Sequence, residues 1–364
     1  MLVGMNYANR ISRLLVFAAL TLSVSVVSPQ PPKAVVPDWT FAVSGDSRNC
    51  GDFVMPVIAA RVKAEGDAFY WHLGDFRAIY ALDQDLVAME PAGKTLTKDR
   101  YQVIAWGDFL KHQLAPFDDL PVFLGRGNHE AIAPMTRDGY IAKFATYLNR
   151  PEITEQNAKD GVGAAPKGSP WFHVMRNGVD FITLDNSTKD EFSDAQLAWL
   201  RSVLDRDLAA GSGVTTIVAG MHEALPHSTS SSHAMDDWPR GMQTGEQVYK
   251  WFAAAQTAGK HVYLLASHSH FYSPAIYDTP FWQQAGMVLP GVIIGSAGAH
   301  RYLLSAMAAP GSKTHVYGYL QAAVHADGTI TFTMLEVSEA EMIASKWPNA
   351  PLAAIYECYA HNSD

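Results

Sequence analysis

The chain has little positive charge. Its 364 residues contain 27 Lys and Arg against 36 Asp and Glu, which gives a formal net charge of −9. Proteins with a general affinity for nucleic acid or anionic membranes present a stripe of basic residues, and no such stripe offsets the acidic balance here. The composition therefore argues against either polyanion as a partner.

Internal repeats at a solenoid period are also absent. Only 17% of the residues are charged and 48% are hydrophobic, so a chain of this length can bury a large core without dividing into two domains. We expect one domain over residues 38–340, followed by a C-terminal tail over 341–364.

A long apolar run occurs only near the N-terminus. Arg10 and Arg13 precede an apolar stretch over 14–27, which is too short to span a bilayer comfortably and is followed by SPQPPK. We expect residues 1–28 to be a signal peptide, which would export the protein to the periplasm or the extracellular space. An uncleaved membrane anchor is the alternative. No Cys lies near this stretch, which argues against a lipoprotein.

Six apolar runs end in a small residue and a polar side chain that can bind metal. They are FAVSGD, FYWHLGD, PVFLGRGNHE, DFITLDN, TTIVAGMHE and HVYLLASHSH. Such runs predict buried strands in a sheet that helices cover. Because ligands bind outside the carboxyl ends of the strands in open α/β sheets, we expect the polar groups to converge there.

The converging groups are two carboxylates, an amide and three imidazoles, from Asp46, Asp75, Asn128, His222, His268 and His270. These ligands suit Mn²⁺, Fe or Zn²⁺, and they exceed what one tetrahedral zinc needs. Two divalent metal ions are therefore the predicted cofactors. His268 and His270 are two residues apart at a strand end, so both side chains point to one side and could reach a pair of ions.

Five of these blocks, in this order, resemble the signature of calcineurin-like metallophosphoesterases. The blocks are Gly45-Asp46, Gly74-Asp75, GNHE over 127–130, His222, and the HSH that contains His268 and His270. The resemblance covers residues 39–300 and implies an α/β fold, a four-layer α/β/β/α sandwich of two mixed β-sheets flanked by helices. It also implies that Asp75 bridges two ions, with Asp46 and His270 at site A and Asn128, His222 and His268 at site B.

By the same resemblance, His129 is the histidine that reaches toward the phosphate and the leaving group. We expect Glu130 to fix the tautomer of His129 by accepting a hydrogen bond from its other ring nitrogen. Its alternative interpretation is an exposed carboxylate at a helix start.

The first block departs from the family pattern, because Arg48 stands where the family has a histidine ligand. Arginine stays protonated and has no free lone pair, so site A is expected to lack one ligand. The purple acid phosphatase branch also lacks that histidine, but it has a tyrosine where this chain has Ala78, which leaves Tyr80 and Asp83 as substitutes. Arg48 either grips phosphate oxygens or pairs with Asp46 or another nearby carboxylate.

Two further arginines, Arg77 and Arg126, lie beside ligand blocks. Arg126 is a candidate for substrate binding, although each of the two taken singly is predicted to be a surface charge.

Among the other histidines, His227 is the main rival of His222 as a ligand, and we favour His222 because it directly follows its strand. His227 and His233 belong to a Ser-rich loop that is expected to lie over the metal crevice. We expect structural roles for His72, His300 and Asp185.

These features predict a hydrolase that acts on phosphoric ester bonds through a hydroxide activated by two metals. The expected substrate is a small or locally accessible phosphoester. The alternative is a degraded scaffold that only binds metal or phosphate. Arg48 supports that alternative, and the presence of His129 argues against it.

The remaining patterns concern local structure. Helices are predicted over 52–64, 100–114, 193–209 and 246–258, with Ser193 as an N-cap, and an exposed loop over 156–170. Asp327-Gly328 predicts a hairpin turn that extends a second, antiparallel sheet. The two cysteines, Cys50 and Cys358, could pair in an exported protein and tie the tail down near the active-site edge.

Overall fold

The structure is a computed structural model that describes residues 38–230, 233–345 and 350–364. The predicted signal peptide over 1–28 lies outside the described residues. A search of the described part for a helix with the length and apolarity to cross a bilayer finds none.

Eleven strands lie within the described residues: β1 (Trp39–Ser44), β2 (Tyr70–His72), β3 (Val122–Leu124), β4 (Phe172–Arg176), β5 (Val179–Thr183), β6 (Thr216–Gly220), β7 (His261–Ala266), β8 (Tyr272–Pro274), β9 (Gly291–Ile294), β10 (Tyr317–Val324) and β11 (Ile330–Val337). They form two mixed sheets. In the first sheet, the order is β11-β10-β1-β2-β3, with β1, β2 and β3 parallel to one another, β10 antiparallel to β1, and β11 antiparallel to β10. In the second, the order is β4-β5-β6-β7-β9-β8, with only the edge strands β4 and β8 antiparallel.

The α-helices of the described part are α1 (Gly51–Glu65), α2 (Gln84–Ala88), α3 (Lys98–Asp108), α4 (Arg137–Lys143), α5 (Ala145–Leu148), α6 (Pro151–Asp160), α7 (Asp194–Asp207), α8 (Pro239–Thr257), α9 (Pro280–Ala285), α10 (Glu339–Ser345) and α11 (Leu352–Tyr356). Helix α1 packs its apolar residues into the core of the first sheet. Helices α7 and α8 do the same on the second sheet.

The two sheets face each other through aromatic side chains. Phe41 of β1 and Phe69, which precedes β2, pack their rings on Phe181 of β5 at centroid distances of 5.1 and 5.0 Å. Trp71 lies so close to the second sheet that a Cβ at Gly220 would collide with its ring. Burial of large aromatic surfaces on both inner faces stabilises this arrangement. The molecule is therefore the predicted sandwich, with two sheets inside and helices outside.

The predicted helices are present, with shifted ends. Helix α3 continues into a π-helical segment over Phe109–Leu114, and Ser193 caps α7 by accepting a hydrogen bond from the backbone N–H of Gln196. Helix α8 begins at Pro239, earlier than the expected residue 246, because a proline at a helix start is compatible with the helix.

Two local predictions were wrong. The segment 156–170 was expected to be an exposed loop, but α6 extends to Asp160 and buries Ile153 and Gln156. The hairpin β10–β11 turns at Asp327-Gly328 as predicted, yet it joins the first sheet beside β1 and does not extend a separate antiparallel sheet. A hairpin pattern specifies its own turn, whereas the sheet it joins depends on long-range pairing.

Cys50 and Cys358 form a disulfide, with their Cα atoms 5.8 Å apart and a sequence separation of 308 residues. Cys50 immediately precedes α1, and Cys358 lies in the tail, so the bond joins the first strand end to the C-terminus. Arg301, which is buried, also donates hydrogen bonds to the backbone carbonyls of Asn362 and Tyr359. The tail is therefore tied down at the edge of the sandwich where the parallel strands end.

Replacing both cysteines, as Cys50→Ser with Cys358→Ser, should lower the free energy of unfolding by about 2–5 kcal/mol, because the open chain gains conformational entropy on unfolding. Denaturant titration followed by circular dichroism measures the change. The reducing agent dithiothreitol should lower the stability of the wild type by the same amount and leave the double variant unaffected. Equal stability of all forms would contradict the prediction.

Candidate metal centre

Six polar side chains follow strand ends of both sheets and lie together at one edge of the sandwich. They belong to Asp46 after β1, Asp75 after β2, Asn128 after β3, His222 after β6, and His268 and His270 after β7. Asp46, Asp75, His222 and His268 each offer a ligand atom, and these four atoms lie within 4.8 Å of one another. The structure thus brings together the residues predicted from the sequence, and their role as ligands stays a prediction.

The backbone at these strand ends is strained. Asp46, Asp75 and His268 have φ angles of 58°, 62° and 62°, which side-chain-bearing residues rarely adopt. Glycines allow the strand ends to approach one another: a Cβ at Gly74 would collide with the backbone of Gly127, and a Cβ at Gly127 would collide with the Asp75 carboxylate. Strain of this kind collects at functional sites, where it holds groups in position.

The side chain of His222 presents a free lone pair to three other possible ligand atoms. Its Nδ1 lies 3.1 Å from the carbonyl oxygen of Leu73, to which it can only donate, so Nε2 carries the lone pair. Nε2 lies 3.0 Å from Asn128 Oδ1, 3.0 Å from His268 Nδ1 and 3.3 Å from Asp75 Oδ1. A divalent cation between these atoms satisfies them all, which is the fit that site B requires.

The same atoms attract protons when no cation lies between them. Burial by itself lowers the pKa of His222, but the carboxylates of Asp75 and Asp46 outweigh burial and raise the pKa to about 10. In its other orientation, the Asn128 amide places its nitrogen 3.2 Å from Asp75 Oδ1 as a hydrogen-bond donor. The group therefore favours a positive charge at this point.

The second ligand group, predicted as site A, already contains a cationic side chain. His270 donates from Nδ1 to the carbonyl oxygen of His300 at 2.5 Å, which leaves its Nε2 as an acceptor. That Nε2 accepts a hydrogen bond from the Arg48 guanidinium at 3.0 Å and lies 3.3 Å from Asp46 Oδ1. Arg48 Nε also lies 3.7 Å from Asp75 Oδ2. Arg48 is thus paired with Asp75 and His270, and site A does not fit a metal ion with the guanidinium in this position.

Aromatic side chains hold Arg48 from the other side. It donates to the hydroxyl oxygens of Tyr80 at 3.1 Å and Tyr302 at 3.3 Å. Tyr302 stacks on the imidazole of His270 with a centroid distance of 4.0 Å, and Tyr80 packs on His129 at 4.8 Å. The hydroxyl of Tyr80 therefore contacts the guanidinium and does not substitute for the missing ligand.

His129 lies beside Asp75, with its Nε2 3.5 Å from Asp75 Oδ2. Its Nδ1 donates to the carbonyl oxygen of Ala78 at 2.6 Å, and this contact fixes the ring. Glu130 was expected to do so, but its carboxylate accepts the backbone N–H groups of Asp75, Phe76 and Gly127 at 2.8 to 2.9 Å. Glu130 is buried, so neither sequence interpretation was right, and its contacts shape the backbone that carries Asp75.

Arg77 and Arg126 were predicted as surface charges, and both are buried. Arg126 donates to Thr188 at 3.0 Å and to Asp185 at 3.4 Å, so its guanidinium links two loops; nothing in these contacts supports a role in substrate binding. Arg77 pairs with four carboxylates, those of Asp52, Asp83, Asp85 and Asp108. Asp83 is therefore occupied by Arg77 and is no substitute ligand.

The other histidines follow the sequence interpretation in most respects. His227 contacts Glu246 at 3.0 Å and stacks on Phe281, which keeps it out of the ligand group. His72 contacts Ser47, and His300 contacts Asp364, in agreement with structural roles. His233 packs its ring 5.1 Å from those of His268 and Tyr302, so the Ser-rich loop does reach the metal centre.

Two residues of the site, Tyr302 and Ser267, have no assigned role in the sequence analysis. Tyr302 follows His300 in an irregular segment, and no local pattern relates it to His270. Ser267 directly precedes His268, and its hydroxyl lies 3.0 Å from His222 Nδ1 and 3.2 Å from the carbonyl oxygen of Leu73. A small residue with a hydroxyl directly before the HSH block was the available signal.

Three solved structures share this fold at low sequence identity. Purple acid phosphatase PPD1 from yellow lupin (Lupinus luteus) seeds has a TM-score of 0.53 at 13% identity, with 89% of this chain and 58% of that chain covered. A dimetal phosphatase from Danio rerio has a TM-score of 0.52 at 11% identity, with coverage of 82% and 99%. PhoD has a TM-score of 0.50 at 13% identity, with coverage of 85% and 73%.

These similarities show the fold, which agrees with the two-sheet sandwich expected from the sequence. The chain spans 58% of the length of the lupin protein. No family model and no curated protein matches the sequence.

Removing the His222 imidazole should abolish tight metal binding, because its Nε2 faces Asn128, His268 and Asp75. We expect the purified His222→Ala variant to retain far less Mn²⁺ or Zn²⁺ than the wild type after gel filtration, as counted by inductively coupled plasma mass spectrometry. His227→Ala is the matched control from the same segment of chain and should bind metal normally. Equal metal content in the two variants would refute the assignment.

Proposed function

We propose that this chain, which has the fold of the metallophosphoesterases, is a metal-dependent hydrolase of phosphoric esters. The observation that carries the proposal is the convergence of His222, Asn128, His268 and Asp75 on one point, with His129 beside them. Ligands alone would suit a protein that only stores or senses metal. His129 and Arg48 add groups that metal binding does not need.

A divalent ion held by His222, Asn128, His268 and Asp75 would attract phosphoryl oxygens and lower the pKa of a coordinated water. Asp75 holds the ligand group together, since its carboxylate contacts His222 and His129 and accepts the backbone N–H of His129 at 3.0 Å. His129 is oriented by Ala78 and Tyr80, and its Nε2 would stabilise or protonate the leaving-group oxygen.

Arg48 supplies a planar fork of donors at the same place. Guanidinium geometry suits two phosphoryl oxygens at once, and the charge of Arg48 is permanent because Asp75 and the nearby tyrosine hydroxyls keep its pKa above the ordinary value against the effect of burial. We assign Arg48 to binding of the phosphoryl group. The acidic balance of the chain favours a small phosphoester over a polyanion.

The disulfide supports the proposed location. Disulfides persist in oxidising compartments, so the bond between Cys50 and Cys358 fits export to the periplasm or the extracellular space. An N-terminal segment that stayed uncleaved would keep the same domain at a membrane.

One observation favours a second function, a scaffold that binds metal or phosphate without turnover. The guanidinium of Arg48 lies within the ligand group that the dinuclear prediction assigns to site A. One assay of ester hydrolysis distinguishes a catalyst from a protein that only binds metal or phosphate. Turnover of para-nitrophenyl phosphate or bis-para-nitrophenyl phosphate should vanish on chelation and return with Mn²⁺, Fe²⁺ or Zn²⁺. Metal binding without turnover of either ester would favour the scaffold.

The variant His129→Ala should lower kcat by about 10²–10⁴-fold, the usual range for loss of a general acid or base. Its metal content should stay equal to that of the wild type, because the four converging ligand atoms come from other residues. Steady-state kinetics with para-nitrophenyl phosphate and metal analysis on the same preparation give both results.

The control for this variant is His325→Ala, which removes an exposed imidazole from the β10–β11 hairpin. It should leave kcat, KM and metal content unchanged. A His129→Ala protein with full activity would remove the catalytic assignment.

A further inference from the structure

We propose that the centre binds one divalent ion and that the guanidinium of Arg48 takes the place of the second ion expected from the sequence. The metal count stands on geometry alone; the assignment of Arg48 to the phosphoryl group rests on the proposed function. The ion would lie among His222, Asn128, His268 and Asp75.

Three acceptor atoms would face a second ion, and two of them already face Arg48. His270 Nε2 lies 3.0 Å from the guanidinium, and Asp75 Oδ2 lies 3.7 Å from Arg48 Nε. The third atom, Asp46 Oδ1, lies 3.3 Å from His270 Nε2. Asp46 Oδ1 is buried without a hydrogen-bond donor, and its neighbour His270 Nε2 accepts from the guanidinium. A metal bound to His270 Nε2 at about 2.1 Å would occupy the space of the Arg48 nitrogen.

The guanidinium is held from several directions. Arg48 is 6% exposed, and Tyr80, Tyr302 and His270 all accept its hydrogen bonds. Moving it aside would leave the buried Nε2 of His270 without its donor and would carry a buried charge out of its pair with Asp75. Breaking a buried ion pair by removing one partner is strongly destabilising.

The balance of charge agrees with a single ion. Asp46 and Asp75 contribute two negative charges, and one divalent ion together with Arg48 contributes three positive charges. A second divalent ion would place five positive charges against the same two carboxylates in a buried site. The excess would then oppose binding of the second ion, whereas one ion leaves a moderate positive potential for a phosphoryl anion.

The two predicted ligand groups, sites A and B, differ in their contacts with the guanidinium of Arg48. The guanidinium contacts His270, and no hydrogen bond within the described residues links it to His222, Asn128 or His268. Ion binding among His222, Asn128, His268 and Asp75 is therefore compatible with Arg48 in its observed place. A phosphoryl group between the ion and the guanidinium would contact both cations.

The test is a metal count on the full mature protein. The wild type, saturated with Mn²⁺ and freed of excess metal by gel filtration, should contain one ion per chain. Its electron paramagnetic resonance spectrum should be that of isolated Mn²⁺. Arg48→His supplies the missing imidazole ligand and should raise the count to two, with the spectrum of an exchange-coupled pair.

Arg48→Lys is the matched control, because it keeps the positive charge and should keep the count at one. Arg48→Ala removes the charge without adding a ligand and should admit a second ion more weakly than Arg48→His. Thermal unfolding verifies that each variant is folded. Two coupled ions in the wild type would overturn the proposal, as would a single ion in both folded Arg48→His and Arg48→Ala.

The metal count and the ester assay fail independently. One ion per chain with no turnover of either nitrophenyl ester would leave the inference standing and remove the proposed function. Two ions with turnover would do the reverse.

Discussion

The pairing of buried carboxylates with cations is the constraint on which the rest of this structure depends. Asp75 is fully buried, and burial alone would raise its pKa, but His129, His222 and Arg48 hold that pKa well below its usual range. An unpaired carboxylate in such surroundings would cost several kcal/mol, so the strand ends can meet only where positive charge is available. The candidate metal centre is the consequence, since acceptor atoms from both sheets converge on points where a cation would pair with them.

Buried carboxylates are also paired with a cation in the loop after Asp75. Arg77 lies among the four carboxylates of Asp52, Asp83, Asp85 and Asp108, which come from α1, α2, α3 and the loop itself. Asp52, Asp108 and His112 also have the composition of a metal site, but Arg77 supplies positive charge to that group. These contacts fix the loop on its helices. The loop thereby places Tyr80 in contact with both His129 and Arg48. The arrangement of the candidate metal centre therefore depends on the ion pairs of Arg77, which lie outside it.

Local patterns were sufficient for eight of the eleven strands in the described residues, for helices α1, α3, α7 and α8, and for the positions of the six candidate ligands. Apolar runs specify buried strands, and residues such as Asp46 and His222 stand directly after them, so their position follows from the strand itself. The environments of Arg77, Arg126 and Glu130 could not be predicted in this way, because their partners are distant in the sequence. Arg77 pairs with Asp52, which is 25 residues away, and Arg126 reaches Asp185 over 59 residues. A charged residue considered alone is more often exposed, and its sequence neighbours do not identify a distant counterion.

The sequence by itself determined which side chains could bind metal, because a ligand's chemistry and its place after a strand are both local properties. It also showed that Arg48 replaces a histidine of the family pattern. Only the tertiary structure decided what that replacement does. The position of the guanidinium depends on His270, Tyr302 and Asp75, which lie in separate segments, and the packing of the two sheets brings these segments together. The sequence specifies which residues are candidate ligands. The number of cations that fit among them depends on interatomic distances, which only the folded structure sets.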